Sequence, residues 1–169
     1  MLRLSLFLLL LYSCSDQPPT TPETRPVENP NAGNTAIYDV DADDPYEIGD
    51  GAFMEMRPGG DLAPFSRELE QGDAGHFYIK GRRGDRLGYL IAVEESKIGS
   101  IHLTSTDVVT RDGLRVGNTF AELVERIGKP DAIEQEGGRA CARKDRLAYC
   151  LDATDVLDSA RVVEIVILP

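Results

Sequence analysis

The chain has 169 residues, and its 29 Asp and Glu against 18 Lys and Arg give it a formal net charge of -11 at pH 7. A nucleic-acid partner is excluded on this charge, because the phosphate backbone would be repelled. Hydrophobic residues make up 41% and charged residues 28%, which is typical of a globular protein, and three Cys, two His and no Trp leave few ways to build a metal centre or a nucleophilic triad. We therefore expect no cofactor.

The N-terminus predicts an export signal. Arg3 precedes an apolar run from Leu4 to Leu11, which is far shorter than the roughly 20 residues of a membrane-spanning helix. The segment from Leu11 to Cys14 resembles the bacterial lipobox. That resemblance implies a lipoprotein signal peptide over residues 1–13, an acylated Cys14, and delivery to the outer membrane because Ser15 is not Asp. The alternative is a plain secretory signal peptide that is cut near the same point.

Residues 14–35 predict a flexible tether that follows the lipidated Cys14. The segment has almost no large apolar side chain and holds half of the ten prolines, namely Pro18, Pro19, Pro22, Pro26 and Pro30. Such a composition favours an extended, solvated chain, with a Pro-rich recognition motif as the alternative. A single globular domain is predicted from residue 36 to residue 169.

An acidic stretch at the start of this domain has the spacing of a calcium-binding loop. Carboxylates occupy loop positions 1, 3, 5, 9 and 12, which are Asp39, Asp41, Asp43, Glu47 and Asp50. Asp44 stands where the loop needs its glycine, and the last ligand is not Glu. We therefore favour a solvated acidic segment and no metal, with calcium binding as the alternative.

The apolar spacing predicts an α+β domain that is mainly antiparallel β-sheet, built from meanders and hairpins. A helix is predicted over about 119–127, where Thr119 and Glu122 form a capping box and Gly128 follows the last turn. A second, weaker helical pattern covers about 64–70, where Phe65 and Leu69 lie one turn apart.

Gly84-Asp85 predicts a two-residue hairpin turn between strands over His76–Arg83 and Arg86–Val93. The second of these strands is apolar on both alternating faces from Leu87 onward, which indicates a central strand covered on both sides.

Two further strands are predicted nearer the C-terminus. In the first, Ile101 and Leu103 share one face, and the other face is predicted to be solvated, with Ser100, His102 and Thr104. The last strand runs over Arg161–Leu168, and in it Glu164 points away from the buried Val163, Ile165 and Ile167.

Cys141 and Cys150 flank a predicted turn at Asp145-Arg146, which places them opposite each other on two short strands. An exported protein permits a disulfide between them, and this is the favoured interpretation. Free buried thiols remain the first alternative, and a redox-active pair the second, although C-x-x-C spacing is missing.

The sequence offers little for catalysis. His76 and His102 lack the spacing of a zinc pair, and each is predicted to be an ordinary strand residue. Ser100 and His102 share a strand face and Asp107 follows, so a hydrolytic trio is conceivable, but such trios occur often by chance. We therefore predict that the protein is not an enzyme.

Several segments between Gly84 and Leu168 carry a family resemblance, namely Gly84-Asp85, Gly99 to Ile101, Asp112 to Leu123, Cys141, Tyr149 and Val162 to Ile165. In these the chain resembles the RpoE-regulated lipoproteins, an uncharacterised envelope family of Gram-negative bacteria. The resemblance implies a β-rich domain, an outer-membrane anchor and expression tied to envelope stress. A weaker similarity, to the β-barrel assembly lipoprotein and β-lactamase-inhibitor superfamily, is carried by two short segments, Gly113 to Gly117 and Ile127 to Pro130.

Together these features predict an outer-membrane lipoprotein on the periplasmic face, anchored in lipid through Cys14, with a non-catalytic binding or structural role in the envelope. One alternative is an acidic protein–protein module, an assembly accessory or inhibitor, that attracts a basic protein partner. Another is a small-molecule binder with a pocket walled by Tyr78, Tyr89 or Tyr149.

Overall fold

The described part of the chain consists mostly of antiparallel strands, with one short α-helix. A computed structural model describes residues 46–94 and 96–169, which belong to one compact unit, Tyr38–Pro169. The strands are β1 (Glu47–Gly49), β2 (Ala52–Phe53), β3 (Leu69–Gln71), β4 (His76–Lys80), β5 (Arg86–Val93), β6 (Lys97–Leu103), β7 (Val109–Thr110), β8 (Ala132–Glu136), β9 (Arg139–Lys144), β10 (Leu147–Leu151) and β11 (Val162–Ile167), and the helix is α1 (Phe120–Ile127). The predicted α+β class, mostly antiparallel sheet, is confirmed.

Eight strands form one antiparallel sheet in the order β3-β4-β5-β6-β11-β10-β9-β8. The strands β2, β1 and β7 form a small second sheet, in which β1 and β7 are parallel. The last strand, β11, belongs to the large sheet, as the apolar C-terminal sequence predicted, and it lies between β6 and β10.

The two faces of the large sheet have different surroundings. The inner face contributes residues such as Leu90, Ile101 and Ile165 to a core that also includes residues of α1 and the small sheet. The outer face carries a row of residues paired across β5, β6, β11 and β10: Tyr89, His102, Val166 and Ala148.

The helix α1 begins and ends where the sequence predicts. Thr119 is its N-cap and forms a capping box with Glu122, while Gly128 ends it. Phe120 and Leu123 are buried in the core. No helix among the described residues has the length and apolar character needed to cross a membrane.

The predicted second helix over 64–70 is wrong. Ala63–Phe65 forms a single 3-10 turn, and Leu69 belongs to strand β3. Leu69 lies opposite Ile79 of β4 and is buried there, so strand pairing supplies the burial that helical spacing suggested.

The predicted β4–β5 hairpin exists, but its two-residue turn is wrong. Lys80 pairs with Arg86, so the connection is the five-residue loop from Gly81 to Asp85. The loop is closed by hydrogen bonds from the Gly81 N–H to the Asp85 carbonyl and from the Gly84 N–H to the Gly81 carbonyl. The strand β5 lies inside the sheet, as predicted, but it is not covered on both sides, since Tyr89 and Ile91 on the outer face are half-buried.

The strand β11 differs from its predicted pattern at one end. Ile165 and Ile167 are buried, but Val162 is buried in place of Val163, which is half-exposed. A register shift opposite Cys150 and Leu151 changes the alternation at this point.

The hairpin β9–β10 has the predicted register. Cys141 lies opposite Cys150 across the turn at Asp145-Arg146, with Cα atoms 3.9 Å apart, and the two form a disulfide. This confirms the favoured interpretation of the cysteine pair.

Matched truncations at the centre and the edge of the sheet test this architecture. Ile165→Ala removes a fully buried side chain from β11 and should lower the free energy of unfolding by about 2–5 kcal/mol. Ile133→Ala makes the same change on the edge strand β8, where the side chain is 49% exposed, and should cost no more than about 0.5 kcal/mol. Chemical denaturation measures both, and equal costs would contradict the strand order.

Candidate functional site

A serine, a histidine and a glutamate form a chain of hydrogen bonds on the outer face. The Ser100 Oγ lies 2.8 Å from the His102 Nε2, and the His102 Nδ1 lies 2.9 Å from the Glu164 Oε1. Ser100 and His102 are two residues apart on β6, while Glu164 comes from β11. With Tyr89, these three residues are called the Glu164 network below.

Tyr89 completes the network from β5. Its hydroxyl donates to the Glu164 Oε1 at 3.0 Å, and its ring stacks on the His102 ring with centroids 4.6 Å apart. On the other side of Glu164, the Arg139 Nη1 lies 3.8 Å from the Oε2. The carboxylate therefore has hydrogen bonds on one oxygen and a cation near the other.

These contacts set the charge state of the network. The hydrogen bond from His102 lowers the pKa of Glu164, as do the hydrogen bond from Tyr89 and the charge of Arg139, whereas burial acts in the opposite direction. Burial, followed by the charge of Glu164, raises the pKa of Tyr89 to about 12. Glu164 is thus ionised and Tyr89 protonated at neutral pH.

The predicted solvated face of β6 is therefore wrong at His102, which is only 7% exposed. The Tyr89 ring covers one side of it, and the paired residue on the other strand is Val166. Of the predicted trio Ser100, His102 and Asp107, the first two are in hydrogen-bond contact. The acid that contacts His102 is Glu164. Asp107 is not part of this chain of contacts, and its backbone N–H donates to the Ser105 Oγ.

The other predicted candidates on this face have separate contacts. The His76 Nδ1–H donates to the Asp73 carbonyl at 3.0 Å, and the His76 ring lies 5.6 Å from that of Tyr89. The Arg86 guanidinium lies over the Tyr78 ring, and its Cζ is 3.5 Å from the ring centroid. Both tyrosines, 78 and 89, therefore have partners within the sheet and do not line the cavity described next.

An open cavity of about 510 Å³ lies at one end of the domain, on the side of the inner face. It is called the Tyr149 cavity below. The turn between β1 and β2, the residues after β7, the end of α1 and the β9–β10 turn converge on it. Its lining residues are Ile48, Asp50, Gly51, Thr110, Arg111, Asp112, Arg126, Ile127, Lys144, Asp145, Arg146, Leu147 and Tyr149.

Three of the four cations at the Tyr149 cavity already have partners. Arg111 contacts Asp50 at 2.9 Å, Arg126 donates to the Asp112 carbonyl, and Lys144 contacts Asp131 at 3.0 Å. Within residues 46–94 and 96–169, the Arg146 guanidinium makes no hydrogen bond or ion pair. Burial of Tyr149, which is 1% exposed, raises its pKa, so the cavity wall there is uncharged.

Only two of the five predicted calcium ligands, Glu47 and Asp50, lie within the described residues. Asp39, Asp41 and Asp43 lie outside the described residues, as does Cys14. The other two members of the calcium pattern, Glu47 and Asp50, both contact Arg111. Elsewhere, a carboxylate oxygen of Glu136 and the sulfurs of Cys141 and Cys150 lie within 4.8 Å of one another, but the disulfide leaves no thiolate to bind a metal.

Comparison with solved structures gives a distant likeness. The chain is similar to the crystal structure of the uncharacterized protein yfeY from Escherichia coli, with 13% sequence identity, 60% of this chain and 78% of that chain covered, and a TM-score of 0.43. Protein-family models and curated proteins give no match. A likeness at this level transfers no ligand and no activity, so the side chains described above are the basis for a function.

The pKa of Glu164 makes the stability of the domain depend on pH. Because the folded-state pKa lies below the ordinary value of 4.5, the network adds stability that is fully present above that value and is lost as the pH falls through the folded-state pKa. Glu164→Gln should therefore lower the free energy of unfolding by about 1–2 kcal/mol at neutral pH, and by much less in strong acid.

Urea denaturation of both proteins across this pH range measures the difference. Glu134→Gln is the matched control, since Glu134 pairs with Arg143 but is 53% exposed and should change the free energy of unfolding by less than about 0.5 kcal/mol. A cost of Glu164→Gln that stayed constant down to strong acid would contradict an ionised Glu164.

Proposed function

We propose that the chain is an outer-membrane lipoprotein whose domain faces the periplasm and binds a small organic anion that carries an apolar part, without catalysing a reaction on it. Cys14 is the anchor, and residues 14–35 are the tether. The observation that carries the binding role is the Tyr149 cavity. The disulfide between Cys141 and Cys150 supports export, because such bonds persist in oxidising compartments such as the periplasm.

The dimensions and walls of the Tyr149 cavity suit a small ligand. Its volume of about 510 Å³ lies within the roughly 300–1,000 Å³ of ligand sites. Ile48, Ile127, Leu147 and the uncharged Tyr149 provide apolar surface, against which a hydrocarbon or aromatic group would be removed from water. The apolar part of the proposed ligand follows from this surface.

The charge of the lining favours an anion. The chain has a net charge of -11, yet the cavity brings four cationic side chains together with three carboxylates. Arg146 is the cation without a described partner, so its guanidinium can pair with a ligand carboxylate or sulfonate through two parallel hydrogen bonds. Arg146 would thus attract an anionic ligand to the cavity, although the net charge of the chain is negative.

Lipidation of Cys14 is tested in a Gram-negative host supplied with a clickable fatty-acid analogue. The full chain should be labelled and should fractionate with the outer membrane, because the acyl chains would bury in the lipid. Cys14→Ser should lose both the label and the membrane fraction, whereas Cys141→Ser with Cys150→Ser should keep the label. An unlabelled wild type would contradict the proposed anchor.

The binding role is tested with the fluorescent dye 8-anilinonaphthalene-1-sulfonate, which has a sulfonate and apolar rings. It should bind the folded domain, and Arg146→Gln should weaken binding about tenfold, equivalent to roughly 1.4 kcal/mol. Fluorescence titration measures the affinity, and an organic carboxylate with an aromatic ring should displace the dye.

Arg143→Gln is the matched control for this titration. Arg143 lies in the same hairpin, but it pairs with Ala148 on the outer face and its guanidinium contacts Glu134, so its loss should leave dye affinity within about twofold. Equal losses in the two variants would indicate a general charge effect and would contradict binding in the Tyr149 cavity, as would a folded domain that binds no dye.

A further inference from the structure

We propose that Ser100 is a nucleophile that accepts the acyl group of a small activated ester, with His102 as its general base and Glu164 as the positioning residue. This site is separate from the proposed ligand site. His102 pairs with Val166 on the outer face, whereas Tyr149 of the cavity alternates with Ala148 and so points to the inner face.

The hydrogen-bond directions make the Ser100 hydroxyl the donor to histidine. Glu164 is ionised and can only accept, so the His102 Nδ1 must carry the hydrogen of that 2.9 Å contact. In a neutral imidazole the Nε2 is then unprotonated, and it accepts from the Ser100 Oγ–H at 2.8 Å. This sequence of contacts is that of a serine nucleophile, a histidine base and an orienting acid.

The stacked Tyr89 ring and the hydroxyl of Tyr89 hold this arrangement in place. The ring restricts rotation of the imidazole, and the hydroxyl fixes the same Glu164 oxygen that accepts from His102. His102 is therefore oriented before any ester arrives, which is what general-base catalysis requires of its geometry.

A β-bulge lies directly before Ser100 and interrupts the regular pairing of β6 with β5. Ser100 lies opposite Ile91 and Ile98 lies opposite Ala92, so the intervening Gly99 has no partner on β5. A Cβ at Gly99 would lie 2.9 Å from the Ile91 carbonyl oxygen, so the bulge requires glycine. Bulges redirect neighbouring side chains, and Ser100 remains half-exposed while its base is covered.

The acylation step is balanced within these residues and the ester. The Ser100 Oγ forms a bond to the carbonyl carbon while its proton moves to the His102 Nε2, and the bond from that carbon to the leaving alcohol or phenol oxygen breaks. The Nε2 then returns the proton to the leaving oxygen, and Glu164 remains ionised beside the transient imidazolium. The product is an ester of Ser100, and its later hydrolysis is outside the proposal.

The test uses p-nitrophenyl acetate and the folded domain with its disulfide intact. Release of nitrophenolate gives the rate, and peptide mass spectrometry locates the acetyl group. Wild type should be acetylated on Ser100, Ser100→Ala should carry no acetyl in that peptide, and His102→Gln should slow the reaction at Ser100 by at least about 100-fold. Ser66→Ala, which removes an exposed serine elsewhere, should retain the wild-type rate.

Glu164→Gln keeps the proposal testable if His102→Gln fails to fold. Its amide oxygen can still accept from His102 and Tyr89, but the charge that stabilises the imidazolium is gone, so acylation of Ser100 should slow at least about tenfold in protein that denaturation shows to be folded. A merely structural Glu164 would change unfolding without changing that rate. The proposal is overturned if folded wild type carries no acetyl on Ser100, or if folded His102→Gln or Glu164→Gln reacts at the wild-type rate.

Discussion

The pairing of β11 with β6 is the constraint on which the rest of the domain depends. It joins segments whose residues are about 60 positions apart, since Val166 lies opposite His102 and Ile165 opposite Leu103. On the inner face it places Ile165 and Ile167 in the core, and on the outer face it brings Glu164 to His102. Closing so long a segment costs conformational entropy, which the burial on both strands must offset.

The outer face shows how hydrogen bonds and ring stacking hold a polar network together on a sheet. The stacked rings of Tyr89 and His102 remove each other from water, and both residues donate a hydrogen bond to the Glu164 carboxylate. Next to it, the disulfide packs with Ala148 and Val166 in a small apolar cluster. The network is therefore shielded from the side as well as held by hydrogen bonds, which explains why His102 is buried on a nominally polar strand face.

The features predicted correctly from the sequence are those determined by local contacts. The capping box of α1 involves residues three apart, and the cysteine pairing follows from a turn at its centre. The helix predicted over 64–70 failed because Leu69 is buried by Ile79, a strand partner that spacing within the segment does not reveal. The Gly84-Asp85 turn failed for a similar reason, since the hydrogen bond between Gly81 and Asp85 closes a longer loop.

In the candidate sites, too, local contacts could be predicted from the sequence and long-range contacts could not. Ser100 and His102 could be paired from strand periodicity, since residues two apart share a face. Their acid could not, because Asp107 is near in sequence whereas Glu164 is near only through the strand order. Tyr149 was one of three tyrosines predicted to wall a pocket, and nothing in the sequence distinguishes it from Tyr89, which stacks within the sheet.

Two arginines of the hairpin β9–β10 differ in whether a carboxylate neutralises them, although the chain as a whole is acidic. The hairpin β9–β10 presents Arg143 to the outer face, where Glu134 neutralises it, and Arg146 to the Tyr149 cavity, where no described carboxylate does. Two arginines of one hairpin, three positions apart, thus differ in whether the charge is neutralised within the fold or is available to a ligand. An acidic protein can in this way keep a cationic position available in a cavity, because the field of a paired arginine is largely cancelled by its partner and that of an unpaired arginine is not.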